Sequence, residues 1–313
     1  MEQAFVFPGQ GSQAVGMGRD LAAAFAPARE VFEEVNEALG QNLAGLMFEG
    51  PEEDLTATEN AQPALMAASL AALRVLEQEG GLDMASACRF VAGHSLGEYS
   101  ALAAAGALGL AETARLLKRR GRAMQEAVPA GEGAMAALLG VDREAGEEIA
   151  TAAAEGEVCT LANDNAPDQV VVSGSRAAVE RAVEIAARHG AKRAVMLPVS
   201  APFHCSLMAP AADVMAEALA ETTLSEPSVP LICNVSAKPV TEPESIRTLL
   251  VEQVTGMVRW RESVLYMRDQ GVARLVELGT GRVLTGLARR IDRELEAVSV
   301  EGPNDIESFL KRL

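Results

Sequence analysis

Gly93-His94-Ser95-Leu96-Gly97 matches the pattern G-x-S-x-G, and its surroundings give the match its meaning. The apolar run Arg89 to Ala92 ends at Gly93 and a small-residue helical pattern opens at Leu96, so the serine falls on a sharp strand-to-helix turn. Such a turn lifts a hydroxyl clear of the sheet, and the Leu96 N–H at the helix start points where an oxyanion would form. The alternative is a plain glycine turn with Ser95 as its N-cap. A serine becomes a nucleophile only with a base beside it, and the chain has three histidines. His94 adjoins the serine on the same turn, so its side chain should diverge from the hydroxyl. His189 closes a helix before Gly190, where a cation on the last turn accounts for it. His204 lies in Ser200-Ala201-Pro202-Phe203-His204-Cys205, a loop after a strand, which is where α/β folds place catalytic groups. A structural loop histidine is the alternative there; the need for a base at Ser95 favours His204.

Two further patterns bear on ligands. The helical stretch Ala111 to Ala127 carries Arg115, Lys118, Arg119, Arg120 and Arg122 toward its end, an order that the helix dipole favours and that normally faces water. One guanidinium turned inward could hold a substrate carboxylate through two parallel hydrogen bonds, but spacing alone does not choose which. Gly9-x-Gly11-x-x-Ala14 fits a dinucleotide fingerprint, yet that motif requires a second strand ending in an acid about twenty residues on, and residues 22–39 read as helix instead. A loop lending backbone N–H groups to an anion and a purely structural turn both stay open.

The elements that must position these residues alternate between strand and helix, as in an α/β fold. Ala4 to Phe7 reads as a buried strand, 22–39 and 62–79 as helices, 89–92 as a strand, and 96–105 and 111–127 as helices. From Gly133 the order becomes strand 134–139, helix 143–154, strands 158–162 and 169–173, helix 176–189 and strand 194–199. This βαββαβ order is that of a ferredoxin-like unit. It predicts an inserted subdomain over 129–199 and a larger, discontinuous domain over 1–128 and 200–313. The last part reads as helix 208–221, strand 230–235, helices 245–254 and 261–269, strand 274–277, a Gly279-Thr280-Gly281 turn and helix 284–291.

Composition narrows the function classes. The 313 residues carry 27 Lys and Arg against 44 Asp and Glu, a net charge of −17, which argues against nucleic-acid binding through a basic footprint. With 49% apolar and 23% charged residues the chain can bury a core. Cys88, Cys159, Cys205 and Cys233 are widely spaced with no CxxC pair, so neither a disulfide framework nor a zinc site is expected. The N-terminus lacks the basic and apolar regions of a signal peptide, and the Leu102 to Leu110 stretch is too short for a bilayer. A cytoplasmic protein with no membrane segment, no metal and no redox cofactor is expected.

Together these stretches resemble the malonyl-CoA:acyl carrier protein transacylases of bacterial type II fatty acid synthesis. The likeness runs through Phe5 to Gln13, Gly93 to Glu98, Arg120-Gly121 with Met124-Gln125, Leu197 to Ser200 leading to His204, and Gly279 to Leu287. The resemblance implies an α/β-hydrolase-like core with a parallel sheet and an inserted ferredoxin-like subdomain. It implies Ser95 as the acylated nucleophile, His204 as its base and Arg120 as the malonyl carboxylate ligand. It further implies an oxyanion hole from the Gln10 and Leu96 N–H groups, and a Gln253 main-chain carbonyl that accepts the histidine Nδ1–H. The partners it implies are malonyl-CoA and holo acyl carrier protein, with the chain expected to act as a monomer. Phe203 before the histidine resembles malonyl-selective members and would crowd an α-methyl branch. Arg289-Arg290 is the basic pair expected to meet the acidic carrier protein. A polyketide-type acyltransferase acting in trans, a serine esterase with an acidic third residue, and a non-catalytic coenzyme A or carrier-protein scaffold are the competing readings.

Overall fold

The structure, a computed structural model, describes residues 2–311. Its strands are β1 (Gln3–Phe7), β2 (Phe90–Gly93), β3 (Gly133–Leu139), β4 (Cys159–Ala166), β5 (Gln169–Ser175), β6 (Arg193–Met196), β7 (Leu231–Ile232), β8 (Pro239–Val240), β9 (Arg274–Leu278) and β10 (Glu296–Val300). They form two sheets, one of six strands in the order β10-β9-β1-β2-β7-β8 and one of four in the order β4-β5-β3-β6.

In the larger sheet β10, β9, β1, β2 and β7 run parallel, and β8 closes the edge antiparallel to β7. Helices cover both faces of a parallel sheet, so its strands are buried on both sides and read as continuous apolar runs. Phe5 and Phe7 of β1 and Val91 of β2 meet one core, and Ala4, Val6, Phe90 and Ala92 meet the other. The helix Thr58–Gly80 is buried for most of its length and lies in the first of these cores. Because β1 and β2 are neighbours near the middle of the sheet, the loops leaving their carboxyl ends open side by side, the usual ligand position in such folds.

The four-stranded sheet is antiparallel throughout. The helices Arg143–Ala154 and Arg176–Ala186 pack on it around a separate core that includes Ala136, Leu138, Ile149, Val170 and Val172. This unit is tied to the rest of the chain along β4. Val258 and β4 exchange backbone hydrogen bonds, Asp164 N–H to Val258 C=O at 2.9 Å and Val258 N–H to Ala162 C=O at 2.8 Å. Arg261 then grips the Asp164 carboxylate at 2.9 Å.

Three differences from the sequence reading have physical causes. The expected helix over 22–39 is two helices, Arg19–Ala24 and Ala26–Leu39, with Phe25 extended between them. Pro27 follows that break; it has no N–H to continue the first helix but suits the opening turn of the second. The expected strand 230–235 is only Leu231–Ile232, because Asn234 turns away to bond the Ser95 region. Finally β10 and the helix Pro303–Leu310 were not anticipated; Phe309 of that helix packs on Phe5 at 6.3 Å between ring centres.

Candidate active site

Backbone crowding dictates the residue types around Ser95. A Cβ on Gly93 would lie 1.9 Å from the Gly97 carbonyl, and one on Gly97 would lie 2.2 Å from the Phe7 carbonyl oxygen. Only glycine at both positions lets the chain reverse this tightly against β1. Ser95 itself has φ +54°, a left-handed conformation costly for a non-glycine residue, and His204 has φ +59°. The turn is held by specific hydrogen bonds. His94 N–H donates to Phe7 C=O at 3.0 Å, Ser95 N–H donates to Asn234 Oδ1 at 2.8 Å, and Asn234 Nδ2 donates to Gly93 C=O at 2.7 Å.

The structure brings Ser95 and His204 together: Ser95 Oγ lies 2.8 Å from His204 Nε2. The other ring nitrogen, Nδ1, donates to the Gln253 main-chain carbonyl at 2.8 Å and lies 3.1 Å from that of Gly256. Two carbonyl acceptors place the proton on Nδ1, which leaves Nε2 free to take the serine proton. The imidazole is buried, and burial together with the Arg120 charge holds its pKa down at about 3, so it is neutral across the neutral range.

Of the cations on the helix Leu110–Glu126, Arg120 is the one turned inward, with 1% of its surface exposed. Lys118 and Arg122 instead pair with Glu59, and Arg119 reaches toward Glu217. Arg120 donates to Gln62 Oε1 at 2.8 Å, Gln253 Oε1 at 2.7 Å and Ser95 Oγ at 3.1 Å. All three are neutral, and among the described residues no carboxylate oxygen lies within 4.0 Å of the guanidinium. A desolvated cation with neutral partners is ready for an anionic ligand. Burial lowers its pKa.

The loop after β1 touches the same turn, since a Cβ on Gly9 would come 2.8 Å from the His94 carbonyl oxygen. Among the described residues neither the Gln10 nor the Leu96 backbone N–H donates a hydrogen bond, so both remain free for a ligand oxygen. The Gln10 side chain continues outward to Thr58 Oγ1 at 3.2 Å, which meets Ser200 Oγ at 3.0 Å. His94 diverges from the hydroxyl as expected, and its Nε2 meets Asn165 Oδ1 at 2.8 Å. His189 sits away from the site, 3.7 Å from Glu148.

Three site residues escaped the sequence reading. Gln62 supports Arg120, Asn234 braces the turn, and Glu98 is a fully buried carboxylate that accepts from Gln253 Nε2 and the Asn234 N–H. Glu98 gave a usable signal, an acid within the small-residue stretch Leu96 to Ala105. Gln62 and Asn234 gave none, because only folding brings them near residue 95. Asn163 and Asn165 are also buried, on β4. Among the described residues no group of His, Cys, Asp or Glu is placed to hold a metal ion, and no helix is long and apolar enough to cross a membrane.

Comparison with known proteins agrees with this arrangement. The acyl transferase domain family matches residues 4–300. The malonyl CoA-acyl carrier protein transacylase of Escherichia coli strain K12 is 48% identical over 308 residues, 98% of each chain. The crystal structure of an acyl-carrier-protein-S-malonyltransferase from Bartonella henselae superposes with a TM-score of 0.97 at 55% identity, covering 100% of this chain and 99% of that one. A malonyl-transacylase solved in complex with a type II PKS acyl-carrier protein superposes with a TM-score of 0.96 at 44% identity, covering all of both chains. The chain belongs to the acyl transferase family, in the group of the malonyl CoA-acyl carrier protein transacylases.

Proposed function

We propose that the chain transfers the malonyl group of malonyl-CoA to the phosphopantetheine thiol of holo acyl carrier protein through a malonyl ester on Ser95, supplying extender units for fatty acid synthesis. One observation carries the reading: Ser95 Oγ sits within hydrogen-bond reach of both a base, His204 at 2.8 Å, and a buried, carboxylate-free cation, Arg120 at 3.1 Å. The first contact suits acyl transfer, and the second suits an acyl group ending in a carboxylate.

The steps balance as two exchanges. His204 Nε2 takes the Ser95 proton as Oγ adds to the thioester carbonyl, and the oxyanion is received by the free N–H groups of Gln10 and Leu96. Collapse expels the coenzyme A thiolate, which takes the proton from the imidazolium. The carrier-protein thiol then gives its proton to His204, attacks the malonyl ester, and restores the serine. Arg120 orients the distal carboxylate, and that carboxylate in turn offsets the charge that depresses the His204 pKa. Phe203, buried beside the base, favours malonyl over a branched methylmalonyl group.

A serine esterase is disfavoured because the His204 Nδ1–H is received by main-chain carbonyls and not by a carboxylate. In the same reading 1–128 and 200–313 form an α/β-hydrolase-like catalytic domain, and 129–199 form a ferredoxin-like subdomain. The order β4-β5-β3-β6 supports the second assignment. The chain is taken to work as a cytoplasmic monomer without metal or cofactor.

Intact-mass measurement after mixing with malonyl-CoA tests the proposal. A malonyl adduct that maps to the peptide holding Ser95, and that holo acyl carrier protein removes, is the expected result. Absence of any adduct would leave a binding scaffold, and rapid loss of the adduct to water alone would favour an esterase.

A further inference from the structure

Glu98 is buried to 0% exposure in the first turn of the helix Gly97–Ala104 that follows Ser95, and the transfer steps above make no use of it. Its two carboxylate oxygens go to two different parts of the site. Oε2 accepts from Gln253 Nε2 at 2.5 Å, and Oε1 accepts from the Asn234 backbone N–H at 3.2 Å.

The first contact has a chemical consequence. Gln253 Nε2 also donates to the Ser95 carbonyl at 2.9 Å, so both amide hydrogens are placed on acceptors. The amide oxygen must then face the other way, and there it accepts from Arg120 Nη2 at 2.7 Å. The reverse orientation would set an NH2 against a guanidinium, which has donors only, and an oxygen against a carboxylate and a carbonyl. The second contact steadies Asn234, whose side chain spans the Ser95 N–H and the Gly93 carbonyl. Burial raises the Glu98 pKa to about 7, against the opposing effects of Gln253, Asn234 and Arg120.

We propose that Glu98 is a positioning residue for malonyl transfer: its carboxylate fixes the polarity of the Gln253 amide and through it aims the Arg120 guanidinium at the substrate carboxylate. The inference rests on the acyl-transfer reading above. Glu98→Gln keeps the shape but replaces an acceptor with an NH2. Either that NH2 opposes Gln253 Nε2 and turns the amide toward Arg120 with its hydrogens, or it faces the Asn234 N–H and releases the brace.

The test is a double-substitution cycle read on two substrates, malonyl-CoA and acetyl-CoA, with the ratio of their acylation rates as the observable. Glu98→Gln is expected to lower the malonyl-to-acetyl ratio by about tenfold or more, the effect of losing one charge-assisted hydrogen bond in a buried site. Gln253→Met removes the amide but keeps the main-chain carbonyl that serves His204. In that background Glu98→Gln is expected to change the ratio by less than about twofold, since the route through the amide is already gone. An unchanged ratio in the single variant, or effects that multiply in the double variant, would overturn the proposal, because a residue acting only on folding lowers both substrates alike. Should Glu98→Gln not accumulate as folded protein, Glu98→Asp takes its place in the same cycle, since it withdraws the acceptor while retaining the charge. If the wild type itself forms no malonyl-Ser95 adduct, the acyl-transfer reading fails. If the adduct forms but the ratios behave as just described against it, the role of Glu98 alone fails.

Discussion

Arg120 and Arg261 are both drawn toward the interior, and the fold treats them in opposite ways. Arg261 keeps 26% of its side chain exposed and meets the fully buried Asp164 carboxylate with contacts of 2.9 to 3.1 Å. Arg120 is 1% exposed, donates to two amides and a hydroxyl, and lies over the Tyr99 ring. Hydrogen bonding to Asp164 raises the pKa of the first, and burial lowers that of the second. The paired cation fastens the four-stranded unit to the rest of the molecule. The unpaired one carries a desolvation cost that an incoming anion relieves. In the proposed function, stability is therefore placed at one arginine and ligand selectivity at the other, as expected where function and stability compete.

Removing the nucleophile makes the largest change. Ser95→Ala is expected to abolish the malonyl adduct and reduce transfer by about 10⁴-fold or more, read by intact mass and by carrier-protein acylation. A surviving adduct would move the nucleophile elsewhere and dissolve the contrast. Arg120→Ala comes next. Malonyl transfer should fall by about 10²- to 10³-fold while acetyl transfer falls far less. Equal losses on both substrates would make Arg120 structural like its counterpart.

Asp164→Ala should do the reverse. It is expected to lower stability by about 2 kcal/mol, below the range for a fully buried pair because Arg261 can turn to water, with the malonyl-to-acetyl ratio unmoved. Denaturant unfolding beside the two-substrate assay checks both halves. The pH dependence sharpens the electrostatics. His204 acts as a base only when neutral, and burial and the Arg120 charge disfavour its cation, so the acid limb of Ser95 acylation should lie near pH 3 and well below the ordinary histidine range. Arg120→Ala removes one of those causes, so the limb should move to higher pH. A limb near 6.5 in the wild type would refute the dry site. The smallest effect is expected at the surface. Arg290 already pairs with Asp168 at 2.5 Å across an exposed contact, and Arg289 leans on the Ala297 carbonyl. Reversing both charges should cost under about 1 kcal/mol of stability and weaken transfer to the carrier protein severalfold, leaving acylation by malonyl-CoA intact.

How much of this could be read from the chain differs from residue to residue. Gly93, Ser95 and Gly97 declare themselves as a pattern of five consecutive positions, although the reason Gly97 lacks room for a Cβ is the Phe7 carbonyl of β1, far away in the chain. His204 stands out because the chain has only three histidines and the other two have local explanations. Periodicity reads 22–39 as one helix because the apolar spacing continues through a break that Pro27 imposes. Gln62 and Asn234 stayed hidden because a buried amide in a helix or after a short strand looks like any other until its partner is known.

The amino-acid order by itself determined the alternation of strands and helices, the turn at Ser95 and the supply of one base and several arginines. These follow from local sterics and periodicity, which act over a few neighbouring residues. Residue spacing left open which arginine faces inward and which carbonyls hold the imidazole, where only the family likeness pointed to Arg120 and Gln253, and that Glu98 joins the turn to Gln253 was decided by the tertiary structure alone. The partners in those contacts lie 25 to 155 positions apart, and hydrogen-bond satisfaction in a dry interior selects among them only once the sheets and helices have closed.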